Sequence, residues 1–329
     1  MVTGAIFAGI AVALAWSLIG LYRRAMLSVG RLELPTDRGM HSVPVPSGAG
    51  AAIVVAVLLL WPMSRQAALG PQAILLLATL AALAGLSWID DRGGLSPAVR
   101  LPAHAVAVAL LLMSLGPEQR ALPAIPLVAE RVLTGLAWLW FINLFNFMDG
   151  IDGIAGGEAV AVAGGYVLVA IAAGVGNALQ DLALIVAAAT AGFLVWNWHP
   201  ARVFMGDTGS IALGFLLGWL MIDLACRGLW AAGIILPLYF VADATFTLAK
   251  RLLRGEKVWQ PHRQHFYQRA VLGGSSPSAV VLRASAANAV LIALAVLSID
   301  YPVSALAGAI LVVAVLLVDL QGLADGRRG

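Results

Sequence analysis

The chain reads as an all-α, polytopic integral membrane protein: a helix bundle of about ten or eleven transmembrane helices, with the N-terminus outside and the C-terminus cytoplasmic. Three observations predict this. First, 61% of the 329 residues are hydrophobic and only 11% are charged, well beyond the roughly even apolar share of a soluble domain. Second, apolar runs of spanning length recur along the whole chain. Third, sixteen of the twenty Lys and Arg residues fall on one side once the runs alternate; only Arg65, Arg120, Arg131 and Arg227 fall on the other.

The runs lie near 3–21, 48–63, 72–89, 98–115, 132–148, 157–175, 182–198, 211–226, 229–249, 279–298 and 302–319. The first lacks the basic leader of a signal peptide and is followed by Arg23 and Arg24, so it reads as a retained helix that starts outside. The second and fifth are short. No repeat, linker or soluble domain interrupts the series, so residues 1–329 read as a single transmembrane domain. Trp88, Trp138, Trp140, Trp196 and Trp198 sit near inside ends and fit an interfacial belt. The net charge of +3 reflects topology, not nucleic-acid binding, and the single Cys226 excludes a disulfide or a cysteine metal cluster.

The alternation places the inside segments near 22–47, 90–100, 149–156, 199–210 and 250–283, followed by the C-terminal tail. Every unusual polar stretch falls in or beside them. Anions beside a membrane segment are costly, so a chain that keeps them there uses them. The stretch from Asn143 to Gly156 carries Asn143, Asn146, Asp149 and Asp152, each pair spaced i, i+3. If the helix continues, each pair shares a face. Two carboxylates there suit a hard cation such as Mg²⁺, and the carboxamides suit a base or a sugar hydroxyl. Asp90 and Asp91 end the third run as repelling neighbours, which favours a bound cation or a general base. From Asn197 to Ser210 the chain passes through Gly206, Asp207, Thr208 and Gly209, which reads as a helix N-terminus capped by Thr208 or Ser210. Such an end receives phosphate, with Asp207 holding the metal. His262, Arg263 and His265 suit a diphosphate, through forked guanidinium bonds and a tunable imidazole charge. Asp243, inside the ninth run, reads equally as a site residue or as one satisfied by a neighbouring helix.

Taken in order, five of these segments resemble the polyprenyl-phosphate N-acetylhexosamine-1-phosphate transferases of glycosyltransferase family 4, relatives of phospho-N-acetylmuramoyl-pentapeptide transferase. The segments are His41 to Gly50, Asp90-Asp91, Asn143 to Ala155, Asn197 to Ser210, and His262 to His265. The resemblance implies transfer of a HexNAc-1-phosphate from a UDP-N-acetylhexosamine to undecaprenyl phosphate, releasing UMP, on the cytoplasmic face of a bacterial inner membrane. It implies Mg²⁺, with Mn²⁺ as a substitute, and membrane lipids and a homodimer as partners. By the same resemblance Asp90 and Asp91 serve the lipid phosphate, and Asp207 and Asp152 the metal. Asn143, Asn146, Asp149, Asn197, His262, Arg263 and His265 serve nucleotide, diphosphate or sugar, and His41 supports its loop. The last loop departs from the family's usual histidine run, with Tyr267 and Gln268 in place of a trailing His pair. That variant is more similar to the O-antigen-initiating branch. The alternative expectation is a transporter whose intramembrane Asp residues carry protons or cations.

Overall fold

A computed structural model describes residues 2–34, 40, 43–64, 69–176, 178–258, 260 and 262–326. Among them are thirteen helices and no strand, apart from one isolated antiparallel bridge between Glu33 and Val45. Lipid offers no partner for backbone N–H and C=O groups, so a spanning segment must satisfy them within a helix. Eight helices are long and apolar enough to cross a membrane. They are α1 (Val2–Ser28), α3 (Pro71–Gly93), α5 (Leu127–Phe147), α6 (Ile154–Ala172), α7 (Ala178–Asn197), α8 (Asp207–Cys226), α12 (Pro277–Leu297) and α13 (Pro302–Ala324). Two shorter apolar helices, α2 (Ala51–Ser64) and α4 (Pro97–Met113), bring the set to ten.

The apolar run at 229–249 is not one helix. It breaks into α9 (Trp230–Ile235) and α10 (Leu238–Leu253). Pro237 lacks an N–H and its ring crowds the preceding turn, which favours a break there, although α2 and α4 run through Pro62 and Pro102. The short helix α11 (Phe266–Leu272) completes the set.

At the centre stands α8, apolar around its whole circumference, with sixteen of its twenty residues buried. Its glycines let neighbours approach closely. A Cβ on Gly218 would lie 2.2 Å from Trp138 Cδ1 on α5, and one on Gly214 would lie 3.0 Å from Ile142 Cα. Trp138 stacks on Phe215 and Trp219, donates to the Phe215 carbonyl at 3.1 Å and is 2% exposed. It is a core residue, not the member of an interfacial belt that its position suggested, because the α8 glycines leave a slot for the indole.

The ends of these helices gather the polar segments at one end of the bundle. Residues 46–50, leading into α2, run against residues 204–209, leading into α8. Phe204 N–H donates to Pro46 O, Ala49 N–H to Phe204 O and Gly50 N–H to Met205 O. Gly50 is required here: an added Cβ would fall 2.4 Å from Gly209 Cα, and backbone cannot yield as a side-chain tip can. Gly50→Ala is therefore expected to destabilise the protein by about 1–3 kcal/mol, as overpacking does. Gly85→Ala, whose Cβ would meet nothing within 4 Å, is expected to leave the thermal midpoint unchanged or raise it. Thermal unfolding in detergent checks the pair.

Candidate active site

Two turns at this end depart from the sequence expectation. Asp149 and Asp152 do not share a helix face, because α5 ends at Phe147 and α6 starts at Ile154, leaving both acids in a tight loop between the two. Gly153, at φ +83°, closes that loop in a conformation that favours glycine. Nor do Thr208 and Ser210 cap α8. The helix already begins at Asp207, and Gly206 at its cap position has no side chain to offer. The cap comes from another helix. The Asp91 carboxylate, at the end of α3, accepts from Asp207 N–H at 2.8 Å, Thr208 N–H at 3.1 Å and Thr208 Oγ1 at 2.6 Å. A carboxylate satisfies the orphan N–H groups and the positive end of the helix dipole together.

Asp90 turns the other way, as neighbours on a helix must. It accepts from Leu95 N–H and pairs with Arg100 Nη1 at 2.9 Å. The same Arg100 nitrogen lies 3.1 Å from Asp207 Oδ2, so one guanidinium from α4 ties the two carboxylates together. Sequence reasoning passed over Arg100. Its signal was a lone cation inside an apolar run, which is as costly as a lone anion.

The carboxamides brace the loops. Asn197, 3% exposed, accepts from Gly153 N–H at 2.9 Å and donates to Val203 O at 3.0 Å. Asn146 accepts from Ser210 Oγ at 2.9 Å, tying α5 to α8. Asp152 accepts from Ala201 N–H at 3.0 Å and lies 2.7 Å from His199 Nδ1. Asn143, by contrast, donates to Leu139 O on its own helix.

These pieces enclose a cavity of about 700 Å³, in the range of a small-molecule site. Asp91, Asn146, Asp149, Asp152, Asn197 and Asp207 line it. Its wall also includes Tyr22, Arg31, Glu33, Arg92, His199 and Gln268, which sequence reasoning did not select. Asp90, Asn143, His262, Arg263 and His265 lie outside the lining. His41 lies outside the described residues.

Among the described residues the lining holds five carboxylates, Glu33, Asp91, Asp149, Asp152 and Asp207, against two guanidiniums. Asp149 registers the imbalance. It is half-buried, and its pKa is pushed up to about 7, by burial first and then by Asp207, Glu33, Asp152 and Asp91. His262 moves down to about 4, through burial and then the charges of His265 and Arg251, so it stays neutral near pH 7.

Among the described residues, no three His, Cys, Asp or Glu side chains form a ready metal cage. The donors nonetheless fit Mg²⁺, which takes one or two carboxylates together with substrate phosphates. An anionic ligand would not enter this acidic cavity without a cation.

The fold and cavity thus describe a multi-pass membrane protein with an acid-lined cavity of small-molecule size at one end of its bundle. Residues 73–225 match the family model described as Glycosyl transferase family 4. A probable undecaprenyl-phosphate N-acetylglucosaminyl 1-phosphate transferase of Bacillus subtilis is 28% identical over 289 residues, 80% of this chain and 75% of that protein. A decaprenyl-phosphate N-acetylglucosaminephosphotransferase of Mycobacterium leprae is 26% identical over 321 residues, 82% of this chain and 76% of its own. A phospho-N-acetylmuramoyl-pentapeptide-transferase of Moorella thermoacetica is 37% identical over 165 residues, about half of each chain (48% and 47%). All three are transferases, which leaves the transport expectation without support.

Proposed function

We propose that the protein transfers a HexNAc-1-phosphate from a UDP-N-acetylhexosamine to a polyprenyl phosphate, undecaprenyl phosphate in a bacterial inner membrane, and releases UMP. The observation that carries this is the acid-rich cavity at the helix ends, lined by four of the five segments that resemble the family, the His262–His265 segment standing outside it. The positive-inside bias supports a cytoplasmic site. In this reading residues 1–329 form a single transmembrane transferase domain.

The chemistry is a phosphoryl displacement. An oxygen of the lipid phosphate attacks the β-phosphorus of the nucleotide sugar. The bond from that phosphorus to the oxygen bridging the two phosphates breaks, and UMP leaves. Two anions must meet, so catalysis rests on charge neutralisation and alignment. Asp207 and either Asp149 or Asp152 would hold Mg²⁺, with Mn²⁺ as a substitute, which would supply positive charge to the phosphate oxygens.

The chain's own residues do the rest. Asp91 fixes the first turn of α8 and so aims Asp207 at the cavity. Arg100 keeps Asp90 and Asp207 at a common edge. A phosphate monoester loses its second proton near pH ~6, so the nucleophile needs little help from a base. Asp90 and Asp91 then serve the lipid phosphate mainly by shaping its seat. Asn146 and Asn197 hold the loops that contact the nucleotide.

The test is UMP release by purified protein supplied with undecaprenyl phosphate, Mg²⁺ and a panel of UDP-N-acetyl amino sugars. Release with at least one donor, abolished by EDTA and restored by Mg²⁺, is the expected result. No release across the panel would overturn the proposal.

A further inference from the structure

The histidine loop does not face the cavity; it faces Asp243. That carboxylate is fully buried in α10, 0% exposed. It lies 3.2 Å from His265 Nδ1 and accepts from Phe266 N–H at 3.1 Å, Tyr267 N–H at 3.4 Å and Thr247 Oγ1 at 3.3 Å. His265, Phe266 and Tyr267 make up the start of α11, while Thr247 lies one turn along α10 itself. A buried carboxylate with this many partners holds them tightly, because none has water as an alternative.

The next residues carry the constraint onward. Tyr267 is also 0% exposed, and its hydroxyl donates to Phe147 O at 3.3 Å. Gly150 and the Gln268 side-chain amide pack against the same hydroxyl. Phe147 and Gly150 flank Asp149, so the hydroxyl clamps the loop that carries Asp149 and Asp152. The fit leaves no slack: a Cβ on Gly150 would fall 2.3 Å from that oxygen.

We propose that Asp243 is a positioning residue for the reaction, holding the Asp149–Asp152 loop in place through α11 and the Tyr267 hydroxyl. His265 belongs to this brace and orients α11, while Gln268 of the same helix reaches the cavity wall. The proposal rests on the transferase reading for its kinetic effect, but not for its structural one.

Two measurements separate these. In the first, Tyr267→Phe removes one oxygen. It is expected to lower kcat about tenfold, with KM for both substrates within about twofold, because a displaced loop misaligns bound substrate without unbinding it. Asp243→Asn should act in the same direction, and the double variant should lose no more than the worse single one, as residues in one chain of contacts do. Unchanged kcat per folded molecule, multiplying losses, or a rise in KM alone would overturn the proposal. The second is amide hydrogen exchange on wild type and both variants, which needs no activity. Faster exchange is expected at 147–153 as well as at 266–272. Faster exchange confined to 266–272 would overturn the proposal even if the wild type releases no UMP. Should Asp243→Asn fail to fold, Tyr267→Phe decides both measurements.

Discussion

Asp207→Asn and Asp91→Asn are both expected to lower kcat by about 10² to 10³, the scale of losing one preorganised electrostatic group, but with opposite effects on stability. Asp207 faces Asp90 and Asp91 with Arg100 as its cationic partner. Neutralising it removes repulsion, so the thermal midpoint should hold or rise. Asp91 instead accepts two backbone N–H groups and a hydroxyl from α8. Asparagine keeps the shape, but it loses the charge and turns an amide group toward donors. A loss of about 1–2 kcal/mol is expected, the scale of a lost helix cap. Kinetics and thermal unfolding on both variants check the split. Equal destabilisation by the two would contradict the division between an aimed group and an anchoring group.

Asp149→Asn is expected to stabilise the protein at neutral pH while removing most of its turnover. The Asp149 carboxyl is held up to about 7, whereas in an unfolded chain it titrates near ~4. Between those values the folded protein keeps a proton that the unfolded chain has released. Folding stability therefore falls as pH rises through this window, the reverse of a salt-bridged aspartate. The slope should be on the order of a few kcal/mol across the window in metal-free protein, and clearly shallower in Asp149→Asn, where the Asp207 carboxylate keeps the lower part of it. Mg²⁺ should flatten it in the wild type by favouring the ionised carboxylate, and should raise the midpoint more at pH 7.5 than at pH 5.5. With His262 shifted down to about 4, a rise in activity through neutral pH belongs to Asp149 rather than to that imidazole. A slope undiminished above pH ~6 in Asp149→Asn would contradict this assignment.

These predictions draw on both the legible and the hidden parts of the chain. The spans were legible because a membrane helix must be apolar over its own length, which is a local property. The acids were legible because anions beside such spans are expensive wherever they point. What each acid touches was hidden. Asp91 caps α8 from 116 residues away, and Asp243 caps α11 from 23 residues away. Local capping rules pointed to Thr208 and Ser210, residues near the right helix end, while the cap arrived from a helix that no periodicity links to it. The histidine loop was hidden for the same reason. Its residue types suit a diphosphate, but the buried charge of Asp243 claims His265 first. Arg100 was visible as a cation in an apolar run, yet its two partners lie 10 and 107 residues away. The break in the ninth run was the most local of these features, since it falls at Pro237.

The measurement closest to the central claim follows the β-phosphate. Purified protein is given a UDP-N-acetyl amino sugar labelled with ³²P at that position, together with undecaprenyl phosphate and Mg²⁺. The phosphoryl displacement predicts that the label moves into the lipid fraction and that the released nucleotide is unlabelled UMP. Label retained in UDP would mean that the sugar is transferred without its phosphate, and label in a water-soluble sugar phosphate would mean hydrolysis. Either result would contradict the account.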